Sequence, residues 1–253
     1  MEKIRIIPKL EIKNNFLIKG MQFEGLRKIG DPKEFAKKYF DQGADQIIVL
    51  DIVASLYNRD NLFNIVDDLT KNVFIPITAG GGIRKVEDVK SLLKSGADRV
   101  SLNTAAFEDD NIIDKIQNIF GRQFLTIVIE ARRIDGNYFC MTNHGRESSG
   151  ITVKKWLKKL KKKNIAEIII TSVDKDGLNK GPDFDLLKVV RDEEMDCSVI
   201  YSGGLNTIDQ ISKVIKNFKL SGVAISSILH IDNLNIRNIK KNLKLKGINV
   251  NEI

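Results

Sequence analysis

The sequence predicts an α/β fold in which eight parallel strands, each followed by a helix, close into a (β/α)8 barrel built from two similar half-barrels. Three observations predict it. Eight short β-branched runs alternate with eight amphipathic stretches across 253 residues, a number and order that call for a closed parallel barrel. Two glycine-rich turns, Gly80-Gly81-Gly82 and Gly203-Gly204, follow the third and seventh runs, half a chain apart. The chain also repeats itself at about 120 residues. The competing architecture, an open doubly wound sheet, usually has fewer strands and one nucleotide turn near its start.

The strand-like runs cover residues 4–12, 46–52, 74–78, 99–102, 124–131, 167–171, 198–201 and 222–225. They are nearly all apolar, as parallel strands covered on both faces must be. Helical spacing follows each, over 32–42, 59–71, 86–94, 111–119, 153–163, 184–192, 207–217 and 235–246. Asp31-Pro32 with Glu34, and Thr207 with Asp209, mark helix starts. No Pro/Gly/Ser-rich linker divides the chain, so residues 1–253 are expected to form one domain, with halves near 1–120 and 121–253.

Residues 6–11 answer to 125–130, which sets Glu11 against Glu130. Residues 45–51 answer to 166–171, Gly80-Gly81 to Gly203-Gly204, and 96–101 loosely to 220–225. Glycine turns let backbone N–H groups approach an anion without a side chain in the way. One such turn in each half would hold a small molecule with a phosphate at each end.

Composition narrows the function. Hydrophobic residues make up 42%, and no apolar run approaches the roughly 18 residues of a membrane span. The first residues enter a strand-like run directly, which is expected to leave no room for a signal peptide. The only cysteines, Cys140 and Cys197, have no metal or redox spacing, and a reducing cytoplasm fits. The net charge of +8 comes largely from lysines such as those of 154–163, where apolar residues recur at helical spacing. That pattern is a solvated helix face. Nucleic-acid binding would want arginine and aromatics interleaved, and aromatics are only 7%.

In a barrel of this kind the active site lies at the C-terminal strand ends. Those ends carry Glu11, Asp51, Thr78, Asn103-Thr104, Glu130, Thr171, Asp174, Asp176, Ser202 and Ser226. Two opposed carboxylates, Glu11 and Glu130, could divide general-acid and general-base work. Alternatively, one is a salt-bridge partner of Lys19 or Arg132. Gly80-Gly81-Gly82 is no P-loop, since no Gly-Lys-Ser/Thr follows. With Asn103-Thr104, and mirrored by Gly203-Gly204 with Ser226-Ser227, it reads as an anion site. His144 and His230 have no metal partners at sequence spacing. His144, in a polar loop, is expected to be exposed, and His230 structural. Arg5, Gln46, Arg99 and Glu167 begin strands one, two, four and six and could meet in a ring across the floor.

Together these residues resemble the cyclase subunit of imidazole glycerol phosphate synthase, over nearly the whole chain. The likeness rests on Ile6-Ile7-Pro8, Ile18-Lys19-Gly20, Leu26-Arg27, Gly30-Asp31-Pro32, Leu50-Asp51-Ile52, Ala54-Ser55, Gly80-Gly81-Gly82-Ile83, Asn103-Thr104-Ala105, Thr171-Ser172, Asp174 and Asp176-Gly177. The stretch from Lys19 to Pro32 separates it from a sister isomerase that shares the two-phosphate plan. The resemblance implies a TIM barrel with a glutaminase docked on its N-terminal face and ammonia passing through the core. It implies that ammonia and a phosphoribulosyl formimino aminoimidazole carboxamide ribotide give imidazole glycerol phosphate and the aminoimidazole carboxamide ribotide, in histidine biosynthesis. It implies no metal, no organic cofactor and no membrane.

By the same resemblance Glu11 and Glu130 take the two catalytic positions. Lys19, Asp51, Gly81, Gly82, Asn103, Thr104, Thr171, Asp176, Gly177, Gly203, Gly204 and Ser226 take substrate and phosphate contacts. Arg5, Gln46, Arg99 and Glu167 take the ammonia gate. The departures sit at these positions. Both catalytic residues are Glu where the family has Asp, Gln46 replaces an acid, Leu178 a Thr, and Lys9 a Cys. They are similar to those of paralogues that serve surface-polysaccharide amidation, in which the barrel relays ammonia from a glutaminase to a sugar amidotransferase without cyclising anything.

Overall fold

The computed structural model describes residues 3–54, 61–178 and 180–252. The first half begins with β1 (Arg5–Lys13), which runs past the barrel rim into an antiparallel extension, β2 (Phe16–Met21) and β3 (Glu24–Gly30). There follow α1 (Pro32–Asp41), β4 (Ile47–Asp51), α2 (Asn61–Thr70), β5 (Ile77–Gly80), α3 (Val86–Lys94), β6 (Arg99–Leu102), the short α4 (Thr104–Glu108) and α5 (Asn111–Phe120). The second half repeats the plan. The long β7 (Leu125–Ile134) leads into β8 (Asn137–Thr142) and β9 (Glu147–Thr152), again antiparallel. Then come α6 (Val153–Lys162), β10 (Glu167–Ser172), α7 (Phe184–Asp192), β11 (Ser198–Ser202), α8 (Ile208–Asn217), β12 (Gly222–Ile225), the short α9 (Ser227–His230) and α10 (Ile236–Leu245).

Eight parallel strands close on themselves in the order β1, β4, β5, β6, β7, β10, β11, β12 and back to β1. Glu11 and Glu130 therefore stand on strands four places apart, on opposite walls. Register sorts the inward residues into layers, since side-by-side partners on adjacent strands face the same way. Ile7, Ile48, Val128, Ile169, Ile200 and Ala224 form an apolar cluster of their own across the middle. Two residues earlier the same faces carry Arg5, Gln46, Thr126, Glu167 and Ser198. Two residues later they carry Lys9, Leu50, Glu130, Thr171, Ser202 and Ser226. The outward residues, among them Ile6, Leu10, Val49, Val100, Ile127 and Ile168, join the larger core beneath the helices.

The helices fall where their spacing places them, and their caps explain their ends. Asp31 accepts from the Lys33 N–H with Pro32 in the first turn, and Thr207 accepts from the Gln210 N–H. α6 buries Val153, Trp156, Leu157 and Leu160 and turns most of its lysines outward. The predicted start of the second helix, Arg59-Asp60, and Ser55 lie outside the described residues. Among the described residues no helix is long and apolar enough to cross a membrane.

Two expectations need correction. The third strand begins at Ile77, because Pro76 has no N–H for the ladder, and Phe74 is 75% exposed. The segments between the first and fifth barrel strands and their helices, to which the sequence assigns no element, form hairpins. Positive φ at Asn14 and Asn15, at Gln22 and Phe23, and at Asp135 and Gly136 makes the tight left-handed turns that match strand twist.

Beneath the rim, His230 ties α9 to β1 and α1. Its Nε2 lies 3.0 Å from the Lys9 carbonyl, which only accepts, so Nε2 carries the proton. Nδ1 then accepts from the Tyr39 hydroxyl at 2.6 Å. Burial pushes the imidazole down to about 4. As its ordinary value is 6.5, the unfolded chain binds the extra proton first. Stability from this group is complete above pH 6.5 and is lost as the pH falls toward 4, by about 3 kcal/mol. Urea unfolding across that window checks this: His230→Gln should flatten the slope, and parallel curves for variant and parent would refute the assignment.

Candidate active site

At the strand ends the two halves build matching cradles. Gly81 and Gly82 have φ of 105° and 71°, and Gly203 and Gly204 have 108° and 72°. Only glycine suits these angles at no cost. A Cβ on Gly81 would lie 2.0 Å from the Asp51 carbonyl oxygen, and one on Gly203 2.7 Å from that of Ser172. The structural repeat thus sets Gly81-Gly82 against Gly203-Gly204, one residue along from the pairing the sequence suggests, and sets Asp51 against Ser172. Asn103 and Ser226 share a further unusual backbone, with φ of −129° and −124° and ψ of −90° and −82°, each opening a short helix.

The first cradle opens on a cavity of about 100 Å³ lined by Asp51, Gly81, Gly82, Asn103, Thr104, Glu130 and His144. The second opens on a hollow of about 20 Å³ lined by Asp176, Gly177, Gly203, Gly204 and Ser226. Asp51 Oδ1 accepts from the Val53 and Ala54 N–H groups at 3.0 Å each, which shapes the first turn. Asn103 Nδ2 donates to the Val128 and Met141 carbonyls, and Thr104 Oγ1 accepts from the Asn143 N–H. Ser226 Oγ donates to the Lys9 carbonyl at 3.0 Å. Thr171, buried on β10, sits beside Glu130 in register. Gly177, at φ 68°, packs against the Gly20 carbonyl.

Between the cradles runs a buried chain of four charges. Lys9 Nζ lies 2.8 Å from Glu11 Oε1, off the direction of a well-aligned hydrogen bond. Lys19 Nζ donates to Glu11 Oε2 at 3.0 Å and to Asp176 Oδ2 at 2.6 Å. All four side chains are nearly inaccessible. Burial alone would raise the Glu11 carboxyl, but Lys19 and then Lys9 outweigh it and hold it far below the usual carboxylate range. Burial would likewise lower Lys19, and Glu11 and Asp176 push it above the usual lysine range instead. Lys19 is thus Glu11's partner, the alternative that the sequence left open, and Lys9 is a second one.

Glu130 lives differently. Its Oε2 accepts from the Gly145 N–H at 2.9 Å, and its Oε1 lies 3.6 Å from His144 Nδ1. His144 is not exposed, as its polar loop led one to expect, but 8% accessible. The Asn143–Gly145 turn, with φ of 51°, 56° and 71°, folds it inward, and its ring stacks on Phe23 at 4.1 Å.

At the opposite end Arg5, Gln46, Arg99 and Glu167 meet. Arg5 donates to Gln46 Oε1 at 2.7 Å and pairs with Glu167 at 2.8 Å, and Arg99 pairs with the same Glu167 oxygen at 2.8 Å. Ser198 and Thr126 donate to Glu167, and Gln46 donates to Thr78. With Gln46 neutral, this floor carries two cations on one buried anion.

In the sequence Lys9 stands out only as a departure, and the polar surroundings of His144 point to the surface. A period-of-two count from Arg5 through Ile7 to Glu11 places Lys9 on the inward face. Nothing local to the sequence shows that the β8–β9 turn brings His144 to the mouth.

A family model described as "Histidine biosynthesis protein" matches residues 5–235. "Imidazole glycerol phosphate synthase subunit HisF" of Legionella pneumophila is 45% identical over 213 residues, covering 84% of this chain and all of that one. The protein of the same name from Natranaerobius thermophilus is 37% identical over 246 residues, covering 97% and 98%. That from an Exiguobacterium species is 38% identical over 240 residues, covering 95% and 93%.

The four-charge chain makes unequal demands on its lysines. Lys19→Met leaves Asp176 buried and unpaired and should destabilise the fold by about 3–5 kcal/mol. Lys9→Met leaves both carboxylates on Lys19 and should cost less. Denaturant midpoints measured for the two variants check the order, and equal losses would contradict it.

Proposed function

The chain belongs to the histidine biosynthesis protein family, and from that premise we propose that it is the cyclase of imidazole glycerol phosphate synthase. In this reading the barrel mouth takes the phosphoribulosyl formimino aminoimidazole carboxamide ribotide and ammonia, and releases imidazole glycerol phosphate and the aminoimidazole carboxamide ribotide. The relatives' printed names support membership in a synthase of several subunits. A glutaminase on the N-terminal face would supply the ammonia. That chemistry makes the protein a lyase, and its setting the cytoplasm. The names do not favour the non-cyclising relay.

One observation carries the proposal: two cradles of like backbone geometry flank a mouth whose opposed walls each present a buried carboxylate. A ligand with one phosphate at each end would span it, with backbone N–H groups on the phosphates. The middle of that ligand then lies over Glu11 and Glu130. Glu11, fixed as an anion by two ammonium groups, stabilises positive charge developing on an attacking nitrogen. Glu130, with one N–H and one imidazole beside it and no ammonium on it, is the carboxylate placed for general acid–base work. Ammonia entering from below would need Arg5 or Arg99 to leave Glu167, then pass the apolar middle layer.

Purified chain supplied with an ammonium salt and the ribotide should form imidazole glycerol phosphate, followed by chromatography of both products. Glu130→Gln should lower kcat by about 10²–10⁴-fold with little change in KM. Absence of both products with the unsubstituted chain would reject the cyclase reading.

A further inference from the structure

The two carboxylates expected to share acid–base work are not equivalent. Glu11 has one ammonium on each oxygen, at 2.8 Å and 3.0 Å. To take up a proton it would have to break one of two buried ion pairs. Proton traffic then falls to the Glu130 wall, and there one more group stands ready.

His144 lines the same cavity as Glu130, Asn103 and Thr104. Its Nδ1 faces Glu130 Oε1 at 3.6 Å, and its Nε2 is buried without a hydrogen-bond partner among the described residues. A buried polar atom left unpaired is costly unless something completes it. The contrast with His230 is instructive, because that ring has both nitrogens engaged, on Tyr39 and the Lys9 carbonyl. Phe23, held at the β2–β3 turn, stacks on the His144 ring and fixes its plane. The same Phe23 ring lies 5.4 Å from Lys9 Nζ, so one aromatic touches both the imidazole and the lysine of the opposite wall.

Resting on the cyclase reading, we propose that His144 is a further catalytic residue, carrying a proton on Nε2 between the attacking nitrogen and the carbonyl oxygen of the ketose portion of the ligand. Ammonia forms a C–N bond while the carbonyl π pair moves to oxygen, leaving an ammonium beside an alkoxide. Nε2 takes one proton from that nitrogen, and the imidazolium turns its Nδ1–H on the Glu130 carboxylate. Nε2 then gives the proton to the alkoxide, and a neutral carbinolamine remains. A carboxylate behind Nδ1 sets the tautomer that leaves the Nε2 lone pair free. Closing 3.6 Å to a hydrogen bond is a shift of the kind that ligand binding produces. The charged groups around the ring are Glu130, Glu11 and Lys9 with Lys19 behind it. Asp51, Arg84 and Glu108 lie on the cavity wall, and Arg146 and Glu147 on its own turn.

The test uses the full chain with ammonium and the ribotide. His144→Gln keeps a polar side chain that cannot act as an acid or a base. His144→Gly suits the local φ of 56° and opens space for free imidazole. Both variants should lose about 10²-fold or more in kcat with KM within about threefold. Added imidazole should restore the glycine variant by about tenfold or more, and the acidic limb of the kcat profile, measured at constant free-ammonia concentration, should vanish in the glutamine variant. A kcat within threefold of the parent in either variant overturns the inference. So does a loss in His144→Gly that imidazole leaves unchanged, or an acidic limb that persists in His144→Gln. Should the glycine variant fail to fold, the limb in the glutamine variant decides alone. No turnover by the parent chain rejects the cyclase reading and this inference with it; normal turnover by the variants rejects this inference only.

Discussion

The mouth of this barrel is organised by one constraint: two carboxylates and two ammonium groups, all buried, must be satisfied by one another. Lys9 and Glu11 come from β1, Lys19 from β2 and Asp176 from the segment after β10. Moving any one of them into a dry interior costs several kcal/mol, and their mutual attraction roughly returns it. The net stability is therefore small. What the chain provides is position. Lys19 cannot reach Glu11 and Asp176 together unless the β2–β3 extension folds back over the strand ends. The Gln22 N–H to the Asp176 carbonyl, at 2.9 Å, marks the same closure in the backbone.

That closure has consequences on the far wall. With β2–β3 folded in, Phe23 packs among Met141 and Val173 and meets the His144 ring. A charge pattern on the first half thus fixes an aromatic contact to the second. The repeat is kept in the backbone, in the paired glycines and in Asn103 and Ser226. It is broken in the electrostatics, since Glu11 faces two ammonium groups and Glu130 faces an N–H and an imidazole. A symmetric ligand cradle with an asymmetric pair of carboxylates has the properties that directional acid–base chemistry needs.

Much of the barrel was legible in the sequence because its causes are local. Parallel strands covered on both sides must be apolar throughout, and helices on the outside must alternate at 3.6 residues. Gly81, Gly82, Gly203 and Gly204 announce a backbone that only glycine adopts freely. The hairpins were less legible because their strands are short and partly exposed, although Asn14-Asn15 and Asp135-Gly136 carry the turn chemistry. The buried roles of Lys9 and His144 were not legible as such. A lysine in a strand normally reads as surface, and only the Glu11 carboxylate two residues on, under the fold-back of β2, makes it interior. His144 becomes part of the site through the turn after β8, whose inward lean depends on Phe23, 121 residues earlier in the chain.

The floor and the mouth then answer to the same rule with opposite outcomes. Glu167, with no exposure at all, is shared by Arg5 and Arg99, which are 22% and 30% exposed at their side chains. Those guanidinium groups are partly hydrated, so each has water as an alternative partner and can leave the anion at modest cost. Lys9 and Lys19 have no such alternative at 2% exposure. Between the two polar layers the branched side chains of Ile7, Ile48, Val128, Ile169 and Ile200 form a wholly apolar layer. Each set of cations is matched to carboxylates, Arg5 and Arg99 to Glu167 below, and Lys9 and Lys19 to Glu11 and Asp176 above. The cations are thus partly exposed at the floor and fully enclosed at the mouth, a division that the proposed passage of ammonia would use.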